Sequence, residues 1–561
     1  MGERPMRVSK LSITNFRSIE SIELELGQLC ALVGPNNAGK SNILMAMHRV
    51  LGYGWASADR FDPAADRFRQ DPQLDVEIVA TLDTPYSYRK TQVLDPTDIH
   101  SLSFRLTTYK EAGREGESRL EQACLGATGS VATVHAGKKA DGGRKYEQMH
   151  SVPREIQNAL PLIYIRADRR LTDQLPSARY SVLRTLLDDI DRDFHDPTNT
   201  VEVLRPGQGP VTMPRSERWG HLMKAAMDLL RTSEFQALES DINRNALRQL
   251  GFNPDSDDLS LVFGPPPTLD FYHALELHLE ESGLTVSAAA LGQGFQNAVF
   301  MAILEAYEKR KKAGAIFLIE EPEISLHPQP QRALYASLTA ISRTNQVIYS
   351  THSPHFVGVA DFENIRLVQR RDGRTTVRRS NLERTAELDE KLRKEVDPER
   401  SEMFFARRVL VVEGDTEKLA FPEYAARLSL DLDRCGATII EAGGKRNLMA
   451  LARVPASFGI ATGIVFDRDA RSFKDDRAAE TELNEELAAF EKPGDGTRAW
   501  CLEPDYESVL RDSLGEDGYQ AASQQHPGLT KAVRARRIAA DRSTAIPPQF
   551  EEALRWLAGE P

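Results

Sequence analysis

The stretch "LCALVGPNNAGKSNIL", Leu29 to Leu44, decides how the first part of the chain folds. Five apolar residues run into Gly34, and "GPNNAGKS" spells GxxxxGKS before a helical apolar pattern resumes at Ile43. A strand, a glycine-rich turn and a helix, in that order, form the context this motif requires. Gly34 and Gly39 let the backbone wrap closely, while successive N–H groups and the helix N-terminus offer positive potential to phosphates. Lys40 is placed to reach the β- and γ-phosphates of a nucleotide, and Ser41 to offer its hydroxyl to Mg²⁺. The expected ATP-binding residues here are Gly34, Asn37, Gly39, Lys40, Ser41 and Asn42.

Upstream, "KLSITNF" and "SIELEL" alternate with period two and read as a hairpin. A phosphate loop also needs a carboxylate partner from another strand. "AIFLIEEPEISLHP" supplies one, as a buried run from Ile316 to Ile319 ending in Glu320 and Glu321. Glu320 suits a contact to Mg²⁺-bound water, a place usually held by Asp, and Glu321 suits the base that orients the attacking water. "NQVIYSTHSP" then ends a further apolar strand at His352, placed to sense a γ-phosphate.

With 561 residues, the chain exceeds what one hydrophobic core supports, so several domains are expected. Its 41% hydrophobic and 27% charged residues fit a globular protein in water. No apolar run reaches the roughly 18 residues of a membrane span, and "MGERPMRVSKLSITNF" lacks an apolar signal core. Cys30, Cys124, Cys435 and Cys501 show no zinc or disulfide spacing, so reduced thiols and a cytoplasmic setting are expected. A net charge of −12 is unusual for a nucleic-acid binder, yet net charge says little where basic tracts are segregated. Such tracts occur as "KRKK" at 309–312, "RRDGRTTVRR" at 370–379 and "KAVRARR" at 531–537; each alone suits a solvated face as well as a phosphate track.

Between the phosphate loop and the acid pair lies more chain than one ATPase head needs. Residues 60–165 alternate in "LDVEIVATLD" and "LSFRLTTYK", and "GKKADGGRK" is expected at a hairpin tip. From "IRADRRLTDQL" to Leu279 the pattern turns helical, in "YSVLRTLLDDIDRDF", "WGHLMKAAMDLLR" and "FQALESDINRNALRQL". "VLRPGQGPVTMP" is expected only to break those helices. The amphipathic insertion suits a dimer interface and a self-contained domain equally.

The last third contains "RRVLVVEGDTEKLAF", Arg407 to Phe421. Its strand delivers Glu413, Asp415 or Thr416 can cap the next helix, and Glu417 falls in the first helical turn. Acids there are stabilised by the helix dipole alone, so a capped helix start and a metal site both remain open. "GIVFDRDAR" shifts the balance. Asp467 and Asp469 end a strand at i and i+2 and point the same way, which costs like-charge repulsion unless a cation intervenes. Hard oxygen donors suit Mg²⁺ or Mn²⁺, and one or two such ions could activate water for phosphodiester cleavage.

The first set of motifs resembles the ABC-type ATPase head of recombination and chromosome-maintenance proteins, most closely in "EPEISLHP" and "STHSP". That resemblance implies a sandwich of two heads and a signature loop, best matched by "LGQGFQN" with Gly294; Gly292 replaces its usual serine. The second set, "FFARRVLVVEGDTEKLAF", "EAGGKRNL" and "VFDRDAR", resembles the Toprim domain. Together they are similar to the OLD (overcoming lysogenization defect) nucleases, a family that includes the nuclease subunit of the Gabija antiphage system. The resemblance implies metal ligation by Glu413, Glu417, Asp467 and Asp469. It also implies a further acid in "LEPDYESVL", where Glu507 is preferred, Asp505 second and Glu503 third, and a late lysine, Lys531, at the scissile phosphate.

The expected fold is thus α/β: an ABC-type head at 1–165 and 286–380 with a helical insertion at 166–285. A linker at 381–400 and a Rossmann-like Toprim domain at 401–561 follow. The expected function is an ATP-binding, Mg²⁺- or Mn²⁺-dependent DNA endonuclease or nickase in antiphage defence or DNA repair, with Glu413, Asp467, Lys531 and Glu321 catalytic. A homodimer or higher homo-oligomer, a possible helicase partner and no membrane complete the expectation. The alternatives are a non-cleaving DNA-repair ATPase with a structural or regulatory metal site and, more remotely, a topoisomerase using Tyr506.

Overall fold

The computed structural model describes the chain apart from residues 1–5, 53–61, 110–112, 115, 140–142, 168–181, 205–208, 251–266, 282, 311–313, 358, 395–398, 469–476, 493, 495 and 561. Two compact units separate: residues 168–312, and the remainder.

The remainder begins with the expected hairpin. Strands Val8–Phe16 and Ile19–Glu25 pair antiparallel, with Leu11 opposite Leu24 and Ile13 opposite Ile22. Strands Val76–Tyr88, Thr97–Thr108 and Ser118–Leu125 extend them into a five-stranded sheet. Val76, Ile78, Ala80 and Leu82 alternate onto its buried face, whereas Val8 and Leu11 share that face despite their odd spacing. A register irregularity between Val8 and Lys10 absorbs the extra residue.

A six-stranded sheet lies at the centre of the head, in the order Arg374–Arg378, Ile365–Arg371, Leu29–Val33, Gln346–Thr351, Ile316–Glu320, Leu162–Ile165. All its pairings are parallel except the hairpin formed by the first two strands. "LCALV", "IFLIE" and "QVIYST" are buried at every position, as parallel strands covered on both faces must be. Parallel register carries the chain ends to one edge: Glu320 pairs with Ser350, and Thr351 with Val33. The phosphate loop, the acid pair and His352 thus emerge side by side at the carboxyl ends of the strands, where open α/β sheets bind ligands.

Residues 168–312 hold the helices Val182–Phe194, Arg215–Leu229, Ser233–Leu250, Thr268–His273 and Gln293–Arg310. The proline-rich stretch does more than break the helices. Thr200–Val203 and Val211–Pro214 pair antiparallel, Val201 opposite Met213 and Val203 opposite Val211, because these apolar residues keep strand alternation in both segments. Segment 286–312, which carries the signature-like loop, packs within this unit.

The C-terminal part forms a four-stranded parallel sheet in the order Ala437–Glu441, Arg408–Val412, Ala461–Asp467, Thr497–Leu502. Helices Asp415–Arg427, Lys531–Ala540 and Pro548–Ala558 cover one face, with Phe421, Tyr424, Tyr506 and Phe550 in the core. Tyr506 stacks on Phe550 at 4.9 Å and 15°. Hydrogen bonds tie this sheet to the head: Arg378 Nη1 donates to Gly459 O at 3.1 Å, and Ser401 Oγ to Val357 O at 2.7 Å.

Candidate nucleotide and metal sites

The phosphate loop is braced from behind. Thr375 Oγ1 donates to Ala38 O at 2.9 Å and lies 2.7 Å from Ser18 Oγ, while Asn42 Nδ2 donates to Ser18 Oγ at 2.8 Å. Asn42 therefore supports the loop from the hairpin side. A Cβ on Gly39 would meet Thr375 Oγ1 at 2.2 Å, and one on Gly34 would meet Val368 O at 2.0 Å. Both glycines also have positive φ, and so does Asn37 at 64°. This tight cradle, with Ser41 exposed at the helix start, fits a nucleotide phosphate and its Mg²⁺.

Lys40 is 5% exposed and donates to Gly34 O at 2.7 Å and Pro35 O at 3.0 Å. Burial pulls its ammonium below the ordinary range, against the raising effect of Glu321 and Glu323. Glu320 is buried, and its two carboxylate oxygens accept from Tyr164 Oη at 2.5 Å and Ala167 N at 3.1 Å. Glu321 has φ 42°, a left-handed conformation that a glutamate adopts only when its surroundings over-determine it. Its N–H donates to Ser350 O at 3.0 Å, and its Oε1 lies 3.5 Å from His352 Nδ1. Glu321 and His352 therefore face one another at the strand ends. Gly294 stands in the first turn of Gln293–Arg310, in the other unit, where Gln296 Nε2 fixes the preceding loop through Leu291 O at 2.8 Å and Ala289 O at 3.1 Å.

Glu323 was not singled out in the sequence. It is 3% exposed, and its Oε1 accepts from Thr351 Oγ1 at 2.6 Å and from His352 N at 3.1 Å. Burial raises its carboxyl above the ordinary range. The "EPE" spacing alone could have pointed to it, since a second acid two residues beyond a strand tip returns to that edge. Tyr164, Ser18 and Thr375 carried no local signal, because only the folded sheets bring them to the loop.

At the second site the strand tips converge. Asp467 N donates to Glu413 Oε2 at 3.3 Å across adjacent parallel strands, and Tyr506 N donates to Asp467 Oδ1 at 2.9 Å. Gly444 N donates to Glu413 O at 2.9 Å, so the "AGGK" turn braces the backbone that carries this acid. Glu417 is 5% exposed and accepts from Gly414 N at 3.3 Å. The helix is therefore capped by Glu417 rather than by Asp415 or Thr416, because its third position reaches back to the exposed N–H of the Gly414 N-cap. Burial, with the nearby Glu413 charge, pushes the Glu417 carboxyl up to about 7 against the opposing pull of Lys531.

From the other side, Lys531 Nζ lies 2.8 Å from Glu507 Oε1. Asp467 and Glu417 add to Glu507 in holding the Lys531 ammonium up against burial. Asp505 instead caps the helix Tyr506–Leu514 by accepting from Ser508 N at 2.8 Å, and Glu503 pairs with Arg468 at 2.5 Å. Asp469 lies outside the described residues. Among the described residues, no three Asp, Glu, His or Cys side chains stand close enough to hold a single ion. A nearly buried acid beside a second carboxylate still fits a hard divalent cation, whose charge would relieve the cost of ionising Glu417. Tyr506 is 1% exposed within the core, which removes it as a strand-cleaving nucleophile.

Fold and sites define a P-loop ATPase head followed by a Toprim domain. The AAA ATPase domain family model matches residues 6–117 and 183–357, and the overcoming lysogenization defect protein-like TOPRIM domain model matches 404–469. An OLD nuclease from Thermus scotoductus (strain ATCC 700910 / SA-01) is 30% identical over 525 residues, 90% of this chain and 91% of that protein. The Old nuclease of Escherichia phage P2 is 25% identical, covering 83% of this chain and 77% of the relative. Endonuclease GajA from Bacillus cereus (strain VD045) is 22% identical, covering 78% and 71%. The chain belongs to the OLD nuclease family.

Proposed function

We propose that the chain is an ATP-binding, metal-dependent DNA endonuclease or nickase that cuts phosphodiesters in its Toprim domain under control of the ATPase head. The observation that carries the proposal is the convergence of Glu413, Glu417, Asp467, Glu507 and Lys531 from separate strands and helices onto one sheet edge. Glu413, Glu417, Asp467 and Asp469 would hold Mg²⁺ or Mn²⁺ between them, as one ion or two, with Glu507 as the preferred further ligand; Asp505, the second choice, is engaged as the cap of Tyr506–Leu514. The bound cation supplies a water of lowered pKa and stabilises developing charge. Glu413 and Asp467 would hold that cation at the strand tips, and Lys531, held protonated beside Glu507, would face the scissile phosphate.

In the head, Lys40 and Ser41 bind the ATP phosphates and Mg²⁺, Glu321 orients the hydrolytic water, and His352 senses the γ-phosphate. Hydrolysis of DNA is downhill, so ATP changes head geometry rather than driving the cut. The exposed Leu222, Leu229 and Leu238 on the helices Arg215–Leu229 and Ser233–Leu250, with Leu230 in the turn between them, favour a homodimer through residues 168–312. The likeness to GajA supports a role in antiphage defence and leaves room for a helicase partner. Supercoiled plasmid incubated with Mg²⁺ or Mn²⁺, with and without ATP, tests the proposal through the appearance of nicked and linear DNA.

A further inference from the structure

Glu320 occupies the place usually held by the shorter aspartate, at the tip of the strand one removed from the strand that leads into the phosphate loop. A glutamate there has an additional rotatable bond, and holding it in one conformation costs rotamer entropy. Donors from a neighbouring strand take part in the holding. Tyr164 Oη donates to Glu320 Oε1 at 2.5 Å, and Ala167 N to Oε2 at 3.1 Å. Both come from the edge strand Leu162–Ile165 and its exit, where Tyr164 stands in parallel register with Leu318. The tyrosine is itself held: its ring lies 4.9 Å from that of His48, on the helix that begins at Lys40.

We propose that Tyr164 is the positioning residue that fixes Glu320 for the Mg²⁺ of bound ATP, standing in for the rigidity that an aspartate would provide. A carboxylate oxygen can accept more than one hydrogen bond, so a clasp of this kind is compatible with a water on the ion. Partners behind a ligand-orienting carboxylate typically matter 10–100-fold for metal affinity. The inference rests on the proposal that the head binds Mg²⁺ with ATP.

The test measures the affinity of the full-length protein for a fluorescent ATP analogue, mant-ATP, in EDTA and in excess Mg²⁺. The ratio of the two affinities reports the ion's contribution. In Tyr164→Phe the affinity in EDTA should stay within about twofold of wild type, while the Mg²⁺-dependent gain falls roughly tenfold. Glu320→Asp, too short to reach the hydroxyl, should make the tyrosine irrelevant, so that adding Tyr164→Phe to Glu320→Asp changes nothing further. The proposal is overturned if Tyr164→Phe keeps the wild-type gain, or if the effects of the two substitutions multiply. A wild-type chain that binds mant-ATP in neither buffer contradicts nucleotide binding itself, and this inference falls with it.

Discussion

The backbone N–H of Asp467 donates to the carboxylate of Glu413 at 3.3 Å, joining two strand tips that lie 54 residues apart in the chain. The bond aims Glu413 sideways along the sheet edge instead of outward into water. Glu413→Gln retains an acceptor for that N–H, whereas Glu413→Ala removes it. Both variants should lose DNA cleavage by roughly 100-fold or more if the carboxylate binds the metal. Only the alanine variant should also lower the thermal midpoint. Cleavage rates and melting curves on the same preparations check this, and a cleaving Glu413→Gln would remove the residue from the metal site.

Glu417 links metal binding to pH. Its carboxyl is raised to about 7 in the folded chain, so the native state holds a proton there that the unfolded state releases above its ordinary range. Stability from this group is complete below about pH 4.5 and is lost as pH rises through about 7. In EDTA at pH 8, Glu417→Gln should therefore melt above wild type, by about 5 °C or more, and the difference should shrink by pH 5. Added Mn²⁺ should raise the wild-type midpoint and leave that of Glu417→Gln nearly unchanged. Equal differences at both pH values would show that burial does not hold this proton.

A Cβ on Gly34 would run into the carbonyl oxygen of Val368, which is backbone and cannot rotate away. Gly34→Ala should therefore displace the phosphate loop and weaken ATP binding by at least about tenfold, a loss of roughly 1.4 kcal/mol. A Cβ at Gly292 meets no neighbour within 4 Å among the described residues, so Gly292→Ala should change loop packing little. Nucleotide titrations on the two variants check the contrast.

Lys40→Ala should abolish ATP binding while leaving Mn²⁺ binding at the Toprim acids intact. Calorimetric titration with each ligand separates the two sites. Loss of both would mean that they are not independent.

Much of this was legible along the chain because the chemistry is local. GxxxxGKS lies between a strand and a helix, and Glu320, Glu413 and Asp467 each end an apolar run, so strand direction alone places them at sheet edges. The supports were not legible. Thr375 reaches Ala38 from 337 positions away and Tyr164 reaches Glu320 from 156, distances that only strand order determines. The cap at Asp415–Arg427 is not legible because Asp, Thr and Glu all suit a helix start, and only the folded backbone at Gly414 decides among them. The strands flanking the proline-rich stretch do not stand out in the sequence, because four-residue strands carry too few alternations.

The most direct measurement is cleavage of supercoiled plasmid by wild type and Asp467→Ala in Mg²⁺ and in Mn²⁺, each with and without ATP. The expected result is nicked and linear DNA from wild type and none from the variant, with both proteins equally folded. Absence of cleavage by wild type under every metal and nucleotide condition, or undiminished cleavage by Asp467→Ala, would contradict a Toprim nuclease site at these acids.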